Sequence, residues 1–141
     1  MNVRWVDMDI MSYLSSGLRS YIEIVAMFIS PSDWLPMERI TALCAYPKLN
    51  HFSPPEMIVY LQESAQIVQK ERIDARLANI TRYLPTHEQH KEAIALALSV
   101  VAHENCLQRG HTQILGRMAA VFELSEADIE TLLSPYSLTA H

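Results

Sequence analysis

Apolar residues recur along this chain at spacings of three and four, the period of a helix with one face turned to a core. Leu14, Leu18, Tyr21, Val25 and Phe28 form the first such stripe, with Ile22 and Ile29 widening it. The pattern predicts a helix from about Asp9 to Ile29, ended by Ser30-Pro31-Ser32-Asp33, because Pro31 cannot continue the backbone ladder. A second helix is expected from Pro36, with Glu38 at the positive end of its dipole, with Ile40, Leu43 and Cys44 inside, and with Pro47 as its stop. Ser53-Pro54-Pro55-Glu56 is the clearest start signal: an N-cap serine, proline at the first helical position and a glutamate that completes a capping box. Met57, Tyr60, Leu61, Ala65 and Val68 follow it at helical spacing.

Beyond Gln69 the stripe Ile73, Leu77, Ile80, Leu84 reads either as a fourth helix or as the third continued past a kink, up to Pro85. Thr86 with Gln89 makes another capping box and opens a segment through Val101 that is apolar almost all round, which places it at the centre of a bundle. Gln108–Phe122 and Ser125–Leu133 complete the set, and the residues after Pro135 carry little to order them. The fold class expected is therefore all-α: one domain over residues 1–134, a bundle of about six to seven helices, followed by a tail over 135–141. Within it, a first helix at about 9–29 precedes a core at about 30–134. Shifting the chain by 72 positions lays Leu43 on Leu115, Phe52 on Leu124, Ser53 on Ser125, Glu56 on Asp128 and Leu61 on Leu133. Amphipathic helices overlay by chance, but the coincident cap serines point to two related halves.

Composition sharpens this picture. A chain of 141 residues suits one domain, and such a chain buries roughly 68% of its unfolded surface. Half its residues are hydrophobic and 19% are charged, which excludes a disordered chain, and three glycines are too few for a fold of many tight hairpins. With a net charge of -5 and Lys and Arg scattered singly, nucleic acid is not an expected partner. Ile10–Ile29 is the most apolar stretch, yet Ser15, Gly17, Arg19 and Glu23 interrupt it, so no membrane span is expected. Asp7 and Asp9 stand where a signal peptide carries basic residues, and the expected location is the cytoplasm. Cys44 and Cys106 are isolated, which suggests neither a zinc pair nor a disulfide framework.

Two inter-helix segments carry groups able to ligate a metal: Asp33-Trp-Leu-Pro-Met-Glu38, and His103-Glu-Asn-Cys-Leu-Gln-Arg-Gly-His111. A loop carboxylate and a group on the next first turn can converge on one cation, and imidazole moves the preference from hard ions toward zinc, manganese or nickel. The plainer alternative is that Asp33 caps a helix while Glu38, Glu104 and His111 meet solvent. His87 and His90 form a weaker pair at the start of the central helix. Cys106 lies near His103 and His111 without an orienting third group or oxyanion loop, and there is no Gly-rich phosphate loop, so enzymatic activity is not expected.

From His103 to Leu133 the chain resembles the TerB-like (tellurite-resistance TerB) family, whose segment has an Ala-Asp-Gly loop, a Glu one turn into the next helix, a Leu-Ser cap and a closing Ile-x-x-Leu. Leu115, Met118-Ala119, Phe122, Leu124-Ser125 and Ile129-Glu-Thr-Leu132 fill the hydrophobic and capping places. The likeness covers about thirty residues, and from Ser30 to Leu84 it is only topological. Glu104-Asn105 replaces the family's Asp-Gly, His111 replaces its helix Glu, and Trp34 stands where a Gly is expected. The resemblance implies two pseudo-symmetric helical halves and a non-enzymatic stress-response or tellurite-resistance role. It also implies a divalent metal held at Glu104 and His111, with Asp33 and Glu38 from the other half. The competing expectation is a protein-interaction or self-association module with a degenerate metal site. It rests on Trp5, Met8, Met11, Tyr13 and Met27, large apolar groups beyond those one stripe needs.

Overall fold

A computed structural model describes residues 16–29 and 35–138. The start of the expected first helix, the residues Trp5, Met8, Met11 and Tyr13, and Asp33 lie outside the described residues. Among the described residues seven α-helices follow one another: α1 Ser16–Phe28, α2 Met37–Cys44, α3 Pro54–Lys70, α4 Ile73–Tyr83, α5 His87–Val101, α6 Arg109–Phe122 and α7 Glu126–Leu133. A 3-10 turn, Pro47–Leu49, sits between α2 and α3. The all-α bundle expected from periodicity is the fold observed.

Helix starts follow the local chemistry. Ser53, Thr86 and Ser125 each accept from the backbone N–H three residues on, and Glu56, Gln89 and Asp128 reach back to the cap, closing three capping boxes. The open question after Gln69 resolves as two helices. Glu71 and Arg72 have extended ψ angles of 124° and 148°, which breaks the ladder between α3 and α4.

Two long apolar helices make the centre. From Tyr21 to Ile29 every residue of α1 and its end is buried, and α5 buries Ala93, Ile94, Ala97 and Leu98 completely. They pack on each other, α3 packs on α1, and α7 packs on α5. The second helix of each half crosses to the other: α2 packs on α5, and α6 packs on α1. α2 and α6 begin 72 positions apart, as do α3 and α7, so three helices, a connecting α4 and three helices repeat in order. The halves differ in that α3 runs for 17 residues and α7 for 8.

The end of the chain departs from expectation. Ser137–Leu138 pairs in parallel with Cys106–Leu107, the Ser137 N–H donates to the Asn105 carbonyl at 2.8 Å, and Tyr136 packs against the core. The sequence signal for this was weak because two strands of two residues have no periodicity to read. What orders the segment is the fully buried Leu107 and the half-buried Tyr136 beside it, not a local propensity.

Candidate functional site

The loop before α6 is a two-residue turn. His103 and Cys106 face each other and exchange both backbone hydrogen bonds, at 3.0 and 2.9 Å, with Glu104 and Asn105 at the tip. Both tip residues have positive φ, 51° and 61°, which such a tight turn requires of its central pair. The turn fixes Glu104 outward into solvent, while Leu107 anchors the far side in the core.

His111 lies on the first turn of α6, half-buried, and its Nδ1 accepts from the Gln108 backbone N–H at 3.2 Å. That bond requires an unprotonated Nδ1, so the ring carries its proton on Nε2. The ring also stands 6.4 Å from that of Phe28, the last residue of α1. Glu38 is exposed on the first turn of α2, a helix that packs on α3 and α5. Among the described residues no three His, Cys, Asp or Glu side chains gather into a group able to hold a metal. Cys44 and Cys106 are both free thiols, and burial pushes Cys44 above its ordinary value.

His111 lines a groove of about 370 Å³. Met27, Phe28 and Ile29 at the end of α1 make its floor; Ala65 and Val68 of α3, Ile73 of α4 and Ile114 of α6 make its walls. Gln69, Gln108 and His111 supply polar groups along its margin. The floor is buried while the walls are half-exposed, so the apolar lining is open to solvent from one side. Met27 was legible as a surplus apolar group, but the groove joins residues of five helices and no local pattern announces it.

Three polar clusters also went unread. Glu92 accepts from Tyr21 Oη at 2.7 Å, from Lys48 Nζ at 2.7 Å and from Tyr46 Oη. Burial opposes its ionisation, but the three donors outweigh that and bring its carboxyl down to about 2, while burial and then Glu92 push the Tyr46 hydroxyl up to about 12. Glu23 takes a two-pronged bond from Arg76, Nε at 2.7 Å and Nη2 at 2.9 Å, between side chains only 8% and 14% exposed. His90, the second member of the weaker His87/His90 pair, is buried while His87 is exposed. The His90 Nε2–H donates to the Leu84 carbonyl, its ring stacks on Phe122 at 4.1 Å, and its Nδ1 has no partner. Burial holds its pKa below the ordinary value. All three clusters join segments distant in sequence, and none of their residues lines the groove.

Comparison of the chain with family models, with curated proteins and with solved structures returns no match.

Proposed function

We propose that this chain is a non-catalytic interaction module whose groove at the end of α1 receives an apolar, acidic segment of a protein. The observation that carries this reading is the groove itself, an apolar trough of about 370 Å³ with half-exposed walls. Its size falls in the range of about 300–1,000 Å³ typical of ligand sites, and an amphipathic segment laid in such a trough is a recurring mode of recognition. Nearby charge supports an acidic partner. Lys70, Arg72 and Arg109 are exposed and stand next in sequence to the lining residues Gln69, Ile73 and Gly110, and among the described residues none of the three pairs with a carboxylate. The neighbouring acids Glu71 and Asp74 are engaged by Arg76 and Arg117, each at 3.1 Å. The probe is a short fluorescein-labelled peptide with a Trp and a Met flanked by Asp residues, titrated into the full chain by fluorescence anisotropy. Saturable binding with a Kd on the order of micromolar, lost when the Trp and Met are replaced by Ser, supports the reading. Equal binding of both peptides contradicts it.

A second reading keeps a divalent cation at Glu104 and His111, with Asp33 or Glu38 completing the set, as the TerB-like resemblance implies. Its support is the outward carboxylate on a turn closed by two hydrogen bonds, next to a helix that begins with an imidazole. Thermal melts of wild type and a Glu104→Ala/His111→Ala variant over calcium, magnesium, manganese and zinc test it. An ion-specific rise confined to wild type supports the site, and identical midpoints remove it.

A further inference from the structure

A smaller pocket of about 110 Å³ lies where α1 packs on α4, and it shares no lining residue with the groove. Arg19, Ser20 and Glu23 of α1 line it, with Arg76, Asn79 and Tyr83 of α4. Arg76, Asn79 and Tyr83 recur at spacings of three and four and so share one face of their helix, while Arg19 and Glu23 stand one turn apart. Every lining residue carries a polar side-chain group. Arg76 and Glu23 engage each other, through the two-pronged bond between side chains 14% and 8% exposed. Arg19 is half-buried, and its side chain, like those of Asn79 and Tyr83, makes no hydrogen bond or ion pair with another described residue. A guanidinium, an amide and a phenol hydroxyl therefore line one small space with their donors unengaged. Arg76 adds N–H groups beyond the three that bond Glu23 and Glu71.

We propose that this pocket binds a small monocarboxylate, with Arg19 gripping the carboxylate and Asn79 and Tyr83 donating to its remaining lone pairs. Charge selects the class. The lining holds two guanidinium groups and one carboxylate, a single net positive charge; Glu71, the other partner of Arg76, is exposed and does not line the pocket. A monoanion balances that charge, whereas a phosphate dianion would set its second charge against the buried Glu23 carboxylate. The planar fork of a guanidinium meets the two oxygens of a carboxylate in parallel. Size sets the rest of the ligand: the volume lies well below the about 300–1,000 Å³ of a drug-sized site, so it admits a carboxylate with few further atoms.

The test is an NMR titration of the full, nitrogen-15-labelled chain with sodium propionate, read at the Asn79 side-chain amide and the arginine Nε–H signals. Sodium chloride at equal ionic strength is the control. The expected result is saturable shifts with a Kd on the order of millimolar, absent from the chloride series. Arg19→Gln weakens binding by about tenfold or more, and Arg19→Lys, which keeps the charge without the fork, weakens it by less. Circular dichroism checks the fold of both. Should Arg19→Gln fail to fold, Tyr83→Phe takes its place, with an expected loss of about threefold. Inorganic phosphate at pH 8 is expected to bind more weakly than propionate. Shifts that chloride reproduces, or that persist undiminished in Arg19→Gln or Tyr83→Phe, overturn the site. Phosphate that binds more tightly than propionate overturns the monocarboxylate as its ligand.

Discussion

Arg39 and His111 occupy equivalent places in the two halves of this protein. Each is the third residue of its half's second helix, and each faces the C-terminal end of the other half's first helix. Arg39 Nη1 donates to the Val100 carbonyl at 2.8 Å and to that of Ala102, closing the end of α5, while His111 stands over Phe28 at the end of α1. A guanidinium at one crossing and an imidazole at the other leave the two helix ends with different electrostatics. The carbonyl end of α5 meets a permanent charge, and the end of α1 meets an imidazole ring set against Phe28. The groove opens beside the imidazole.

Arg39→Ala is expected to destabilise the fold by about 1.5–3 kcal/mol, the range for hydrogen bonds to a charged donor. Urea unfolding of wild type and variant checks this. An unchanged midpoint means that the carbonyls of Val100 and Ala102 find other donors.

The buried Glu23–Arg76 pair makes a different prediction. Arg76→Met leaves the Glu23 carboxylate buried and uncompensated, at a cost of about 3–5 kcal/mol, whereas Glu23→Met/Arg76→Met removes both charges and costs far less. A double variant as unstable as the single one contradicts the ion pair as the source of the loss.

These contacts also mark what a sequence discloses. The capping boxes at Ser53, Thr86 and Ser125 close within three residues, so each is visible as a local pattern. The helical stripes and the two-half repeat are visible for the same reason, since both are regular in sequence. Arg39 meets its carbonyls 61 and 63 positions away, Arg76 meets Glu23 across 53, and Tyr21 meets Glu92 across 71; no period encodes such pairings. Of the expected ligands, Glu104 and His111 stand on the same loop-to-helix element and Glu38 on another helix, while Asp33 lies outside the described residues. The turn at Glu104-Asn105 was obscured because neither residue is glycine, the usual signal for positive φ.

Acid should unfold the protein in two separable windows. His90 is held neutral by burial below its ordinary 6.5, so the unfolded chain binds a proton that the folded chain resists. Stability therefore falls as pH drops below 6.5, until the folded value is reached. Glu92 is depressed from 4.5 to about 2, so its contribution is complete above 4.5 and is lost as pH falls toward 2. Its side chain is 36% exposed, so solvent screening limits the effect of Glu92→Gln near neutral pH to about 1 kcal/mol. Melting midpoints across pH 2–7 should show the upper window abolished by His90→Phe and the lower one reduced by Glu92→Gln. Parallel curves for all three proteins contradict the assignment.

Positive φ at residues other than glycine predicts gains in stability. Glu123 ends α6 at φ 56°, and Asn105 holds the turn at φ 61°. Glu123→Gly is expected to stabilise by about 1 kcal/mol through relief of left-handed strain, and Asn105→Gly by less, because asparagine tolerates that region. Thermal melts check both. A destabilised Glu123→Gly variant would mean that the glutamate side chain holds the helix end by some other contact.

The account centres on the groove as a surface that receives an apolar, acidic segment, and methyl NMR of the full chain tests it most directly. Protein labelled at Ile, Val and Met methyls is titrated with the Trp/Met/Asp peptide. The prediction is saturable shifts at Met27, Ile29, Val68, Ile73 and Ile114, with Met118 and Ile129, outside the groove lining, unmoved. Shifts confined to methyls outside the groove, or none at all at saturating peptide, would contradict it.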